Sequence, residues 1–286
     1  MSEENQEQKK DQKRHQKELE KESNKVKGVN QYSDILKRVI HEGEAIYKIK
    51  SKSIFLSAII AGLEIGFSYL LVCMLYYLLG GKLNEEVITK LFGVVYPVGF
   101  VLVILGKSAL FTEQTSVLAL PVLNSQRSIW ELLRIWGIVV LGNLLGGIIF
   151  ASFIGWIAPY MNLFSQDTMV KIGTHVLEYD SWVLLVSAIT AGWLMGLLTW
   201  LMNSTTNTIA RVFLIFMITG MIGFGGFHHS IVGNIEVFGA FLYADHLSLW
   251  NYLWFLFLVL LGNGIGGSLV VGLFKYRIFA SNQEEA

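Results

Sequence analysis

Two adjacent histidines, His228 and His229, lie inside a long apolar stretch together with Gly223, Gly225, Gly226 and Ser230, and Asn234 and Glu236 follow shortly after. Histidine titrates near neutral pH, so it can serve as a hydrogen-bond donor, a proton carrier or a metal ligand. An ionisable side chain at membrane depth costs about 2.5–3.5 kcal/mol on insertion scales, and such groups mark solute pathways and relays. Glycines beside them point to a helix interrupted around a cavity. Three more ionisable residues besides Glu236 lie at comparable depth: Glu64, Lys107 and Glu113. Lys107 stands before a second polar interruption, Thr112-Glu113-Gln114-Thr115, and Glu113 stands inside it. If the two interruptions face each other, Lys107 close to the histidines would attract a small anion, and the carboxylates would oppose it. An ion pair of Lys107 with Glu64 or Glu236 that merely holds the loop is the structural alternative. For the histidines, the structural alternative is a ring satisfied by the opposing loop, for instance by Thr112.

Other chemistries fit these residues less well. Adjacent residues on a regular helix cannot both point at one metal, and His175 and His246 fall in loops, so no metal site is assigned. Ser230 adjoins His229 on the same segment, which is poor geometry for a nucleophile and its base, and no Gly-x-Ser-Gly occurs. No catalytic residue, enzymatic activity or cofactor is therefore expected. The prolines are Pro97, Pro121 and Pro159, none of them after an asparagine, so the Asn-Pro-Ala boxes of an aquaporin are missing.

The elements that must position these residues are membrane spans. The 286-residue chain is 53% hydrophobic with a mean hydropathy of +0.52, and apolar runs of about 20 residues recur. Net charge is zero, and the 13 Lys and Arg before Ile54 are accompanied by ten acidic residues, so no basic surface for nucleic acid is formed. The single cysteine, Cys73, leaves no intrachain disulfide. Residues 1–29 are charged, with too few apolar groups to offset ordering entropy, and are expected to be a disordered cytoplasmic tail without a cleavable signal peptide. Residues 30–53 read as an amphipathic helix, opened by Ser33 and Asp34, that docks on the cytoplasmic face or lies in the lipid interface. The channel domain is expected over 54–276, with spans at about 54–79, 91–122, 129–155, 181–203, 209–242 and 249–274, and a cytoplasmic tail at 277–286. The second and fifth segments exceed the roughly 17–25 residues needed to span and carry the polar interruptions. Two half-helices joined by a buried loop explain both features. Lys and Arg concentrate on the side of the termini, which places both termini in the cytoplasm.

The chain also repeats itself. Ser57-Ala58-Ile59-Ile60-Ala61-Gly62 returns as Ser187-Ala188-Ile189-Thr190-Ala191-Gly192, and Leu141-Gly142-Asn143-Leu144-Leu145-Gly146-Gly147 returns as Leu261-Gly262-Asn263-Gly264-Ile265-Gly266-Gly267. Three spans per copy require the second copy to be inverted, which makes the broken segments symmetry mates at the midplane. Asn143 and Asn263 are expected to hydrogen-bond backbone freed by the breaks, and Asn234 is grouped with them.

These residues resemble the formate/nitrite transporter family over about residues 54–276. The resemblance is carried by Leu110-Phe111-Thr112, by Gly226-Phe227-x-His229-Ser230, and by the two Gly-Asn-x-x-Gly motifs; Ile40 to Glu44 and Ile231-Val232-Gly233 are similar to its YfdC-type branch. It implies an aquaporin-like all-α protomer of six helices, with helices 2 and 5 broken, assembled as a homopentamer in the inner (plasma) membrane. It also implies passage of small monovalent anions such as formate, nitrite or hydrosulfide, with a proton as partner. By motif, His229 corresponds to a central histidine above the Leu110–Phe111–Thr112 loop, with His228 beside it, and Tyr96, Phe100 and Ile222 fall where the family places apolar constrictions. The chain departs from the family at Gly233, at Gly192 and in the charges of Lys107 and Glu113. A pore for small neutral solutes or cations therefore stands as the alternative, and a membrane metal- or haem-binding protein as a more distant one.

Overall fold

The computed structural model describes residues 32–278. The tail expected at 1–29, and all but the first two residues of the one expected at 277–286, lie outside them. The described residues form helices and no strand. They are α1 (residues 32–47), α2 (Ser51–Leu79), α3 (Glu85–Val95), α4 (Pro97–Gly106), α5 (Phe111–Leu123), α6 (Ile129–Tyr160), α7 (Gln166–Val176), α8 (Ser181–Met202), α9 (Thr208–Gly225), α10 (Ser230–Phe241) and α11 (Leu249–Ile265), the last continued by a π-helical stretch over Gly266–Leu273. Six helical stretches are long and apolar enough to cross a bilayer: Ser51–Leu79, Glu85–Gly106, Ile129–Tyr160, Ser181–Met202, Thr208–Gly225 and Leu249–Ile278. The chain is a multi-pass membrane protein.

Local chemistry accounts for the helix starts. Ser128 accepts from the Glu131 amide while the Glu131 carboxylate accepts from the Ser128 amide, and Ser248 and Asn251 form the same reciprocal cap on α11. Asn84 and Asn207 cap α3 and α9. Small residues then set the packing. A Cβ on Gly62 of α2 would stand 2.3 Å from the Asn143 carbonyl oxygen of α6, and one on Gly192 of α8 would stand 2.3 Å from the Asn263 carbonyl oxygen of α11. Backbone therefore meets backbone at both crossings, as small residues allow in membranes.

Helix α1 packs on protein. Leu36 and Val39 are buried against Val117, Leu120 and Trp200, the Tyr32 hydroxyl donates to the Lys275 carbonyl, and Glu44 accepts two hydrogen bonds from the Arg127 guanidinium at 2.9 Å each. Helix α7, which carries His175, falls where a loop was expected. Its apolar side buries Met169 and Ile172, and Gly173 closes on the Glu236 carbonyl of α10.

Candidate functional site

Two helices are interrupted midway, and each interruption has its own asparagine. Chain leaves α4 at Lys107 in a left-handed conformation (φ 60, ψ 29) and re-enters a helix at Phe111. It leaves α9 at Gly226 in nearly the same conformation (φ 66, ψ 28) and re-enters at Ser230. Unwinding frees backbone groups that hydrocarbon cannot satisfy. The Asn143 carboxamide oxygen accepts from the Phe111 amide at 2.8 Å, and its NH2 group donates to the Ala58 and Ala109 carbonyls at 2.8 Å each. Asn263 does the same work: its oxygen accepts from the Ser230 amide at 2.8 Å, and its NH2 group donates to Ala188 at 2.8 Å and His228 at 3.0 Å. Two serines complete the bracing. Ser57 Oγ accepts from the Ala109 amide at 3.0 Å and Ser187 Oγ from the His228 amide at 3.1 Å. Neither serine was singled out from the sequence, although each opens one of the two matched stretches.

The braced ends meet at a histidine. His229 is the N-cap of α10, its Nδ1 accepting from the Val232 amide at 3.3 Å. With Nδ1 occupied as an acceptor, the neutral ring carries its hydrogen on Nε2 and donates it to Thr112 Oγ1, 2.7 Å away in the first turn of α5. The Phe100 ring stands edge-on to the imidazole with centroids 5.0 Å apart, and Tyr96 lies 5.3 Å from Phe100. Leu110, Thr112, Phe100 and Ile222 are all fully buried, so the contact sits in a plug of apolar and hydroxyl groups. Phe111 turns away from the plug and packs edge-on against Trp136.

Cavities open on opposite sides of this plug. The larger, of about 680 Å³, is walled by α3, α7 and the second break, and Tyr96, Ile222, His228, His229 and Glu236 reach it. His228 accordingly faces this cavity: its Nδ1 lies 2.8 Å from Ser187 Oγ, and its ring meets Tyr179 edge-on at 5.3 Å. The smaller, of about 380 Å³, is walled by α1, the first break and the ends of α5, α8 and α9; Arg38, Glu42, Lys107, Glu113 and Arg211 line it.

Several sequence expectations are corrected by this geometry. The first break is Lys107 to Leu110; Thr112 to Thr115 form the opening turn of α5, where polar side chains are well placed at the positive helix end. Glu113 is in that turn, and the loop does not contain it. Lys107 lies in the break, its side chain 65% exposed toward the smaller cavity, and its partner is Glu42 of α1 at 3.7 Å, not Glu64 or Glu236. It stands on the α1 side of the plug, while the histidines open to the other. Glu64 sits beside Gly106 at the end of α4, with one carboxylate oxygen buried and without a hydrogen-bond partner among the described residues. Asn234 braces no break: its NH2 group donates to the Leu144 carbonyl at 3.3 Å and its oxygen accepts from the Tyr252 hydroxyl at 2.6 Å, tying α10 to α6 and α11.

Comparison with known proteins bears on this arrangement. A family model described as formate/nitrite transporter matches residues 33–277. The inner membrane protein YfdC of Escherichia coli (strain K12) is 29% identical over 262 residues, covering 88% of this chain and 81% of that protein. Among solved structures, an FNT family ion channel superposes with a TM-score of 0.77 at 22% identity, covering 86% of this chain and 99% of its own. A pentameric formate channel with formate bound superposes with a TM-score of 0.70 at 25% identity, covering 80% and 98%.

Proposed function

Since this chain belongs to the formate/nitrite transporter family, we propose that it is a channel or secondary transporter for small monovalent anions of the formate, nitrite or hydrosulfide class. The observation that carries this reading is that both broken helices restart, as α5 and α10, at the one buried plane where Thr112 and His229 meet; the hydrogen bond between those two side chains is by itself what the structural alternative for the ring requires. Both helices direct their N-termini at that plane, and the partial positive charge of a helix N-terminus favours an anion. Tyr96, Phe100 and Ile222 supply apolar walls that reject an ion still carrying its hydration shell. Neutral His229 supplies a hydrogen bond through Nε2–H. It supplies a proton only after Nδ1 releases the Val232 amide and is itself protonated, so transport is coupled to protons through this ring. The protomer is taken to assemble as a homopentamer with a pore in each copy, in the inner (plasma) membrane, with the α1 side and both termini in the cytoplasm by the Lys and Arg distribution.

Purified protein in liposomes tests this directly. Formate, nitrite and hydrosulfide entry should be measurable, and an inward proton gradient should raise it. Absence of all three fluxes together with passage of glycerol or ammonia would overturn the anion reading in favour of a neutral-solute pore. A His229→Asn protein that is folded and pentameric should show an altered pH profile; if it keeps the wild-type pH profile, the ring has no role in coupling.

A further inference from the structure

A neutral Nε2–H imidazole donates a hydrogen bond but is no ready proton source, because losing that hydrogen would leave an imidazolate. His229 lines the larger cavity and not the smaller one, so on the α1 side a second group is placed to supply the proton that neutralises an arriving anion before it reaches the ring. The cavity there holds one in position. Glu113 lies next in sequence to Thr112, the hydroxyl that contacts His229, and its carboxylate lines the cavity without an ion pair or hydrogen bond among the described residues. Lys107 lines the same cavity, and among the described residues its one ion pair is a loose one of 3.7 Å to Glu42. Glu42 is held from the other side by the Asn203 NH2 group at 3.1 Å. Arg38, His41 and Arg211 complete the charged wall, with Arg211 committed to the Thr205 and Met202 carbonyls. The cavity thus presents three permanent cations to two carboxylates.

We propose that Lys107 and Glu113 form an anion-loading station in this cavity, in which Lys107 receives a weak-acid monoanion in exchange for Glu42 and Glu113 protonates it. This rests on the anion-transport reading above. The step balances: the protonated Glu113 carboxyl gives its hydrogen to the anion, leaving a carboxylate on Glu113 and a neutral acid that can enter the apolar plug. Water on the α1 side then returns a proton to Glu113, and Glu42 returns to Lys107. Glu42 acts as a built-in competitor that keeps Lys107 from trapping the anion, since a charge pair that binds too tightly does not release its cargo.

The test is formate flux through the full-length protein in proteoliposomes, for wild type, Glu113→Gln, Glu113→Asp, Lys107→Gln and Glu42→Gln, each checked for its assembled state by size-exclusion chromatography. Glu113→Gln should cut flux roughly tenfold near pH 7, a modest share of what a positioned proton donor contributes, and the deficit should shrink as the pH falls and bulk water supplies the neutral acid. Glu113→Asp should restore most of the flux. Lys107→Gln should raise the half-saturating formate concentration, and Glu42→Gln should lower it. If Glu113→Gln does not assemble, the opposite shifts of the Lys107 and Glu42 variants decide the matter. Wild-type flux with Glu113→Gln within about twofold at every pH, or with no opposite shift in the other pair, overturns the station and leaves the anion reading standing. A wild type that carries no monoanion overturns both.

Discussion

Replacing Asn263 by alanine should be among the most damaging changes that leave every span intact. Its carboxamide holds three backbone groups across the second break: the Ser230 amide at 2.8 Å, the Ala188 carbonyl at 2.8 Å and the His228 carbonyl at 3.0 Å. The Ala188 carbonyl lies within α8 and keeps its helical partner. The other two belong to the unwound segment and its first turn, and Asn263 is itself fully buried. Leaving a buried backbone group unpaired costs about 1–3 kcal/mol, so two orphans predict a loss of about 2–6 kcal/mol. That exceeds the average of about 0.6 kcal/mol measured for interhelical hydrogen bonds in membranes, because freed backbone in a break has no alternative partner. The assay is reversible denaturation in mixed micelles, comparing Asn263→Ala with Asn143→Ala and with Asn234→Ala. The first two should match each other and both lose flux. Asn234, which holds only the Leu144 carbonyl and the Tyr252 hydroxyl, should retain flux. A loss below about 1 kcal/mol for Asn263→Ala, or an equal loss of flux at Asn234, would refute the idea that the asparagines hold the breaks.

Three other outcomes follow from the same geometry. Gly62→Ala or Gly192→Ala drives a methyl to 2.3 Å from a backbone oxygen and should cost about 3 kcal/mol or more in the same denaturation assay, whereas Gly137→Ala, with nothing within 4 Å of the new atom, should be neutral. Gly226→Ala and Gly81→Ala both put alanine at positive φ with open space around it, so each should lose about 1 kcal/mol from backbone strain alone, but only Gly226→Ala should alter anion flux. The Arg127 guanidinium, by its hydrogen bonds, holds the Glu44 carboxyl below its ordinary value of 4.5; a depressed carboxyl contributes stability above the unfolded value and loses it as pH falls through the folded one. Protease cleavage near α1 should therefore quicken below about pH 4.5 in wild type, and Glu44→Gln should show fast cleavage with no such pH step.

Much of the scaffold was legible because hydrocarbon permits few solutions. Runs of apolar residues located all six spans, and the matched Gly-Asn motifs located the braces, since a buried asparagine among glycines has little to bond except backbone. The contact of His229 with Thr112, stated as the structural alternative for the ring, was legible for the same reason. Helix α7 was not: Gln166–Val176 is short and of mixed polarity, and its helical state depends on Met169, Ile172 and Gly173 finding α10 and its neighbours. Glu42 was equally hidden, because its role comes from where α1 docks.

The misplacement of the first break has a more general cause. Polarity in an apolar run coincides with the unwinding in the second break, where Gly226 adopts positive φ at no steric cost. In the first break the polar run Thr112 to Thr115 follows the unwinding by one turn. Its side chains sit where a helix N-terminus is unsatisfied, and Asn143 reaches the Phe111 amide just ahead of them. The residue that turns the chain is Lys107, which carries no glycine-like signal and holds a left-handed conformation regardless. A lysine in that position is conformationally unfavourable by about 1–2 kcal/mol, whereas glycine serves at the corresponding point of the other break. Strain of this kind persists only where surrounding structure over-determines it. Here Asn143 and Ser57 fix the loop that follows, and the ammonium gained by accepting the strain faces Glu42 and Glu113 across the α1-side cavity. The asymmetry between Lys107 and Gly226 thus puts a lysine in one break and a glycine in the other, whereas the lysines that line the larger cavity, Lys90 and Lys171, come from α3 and α7.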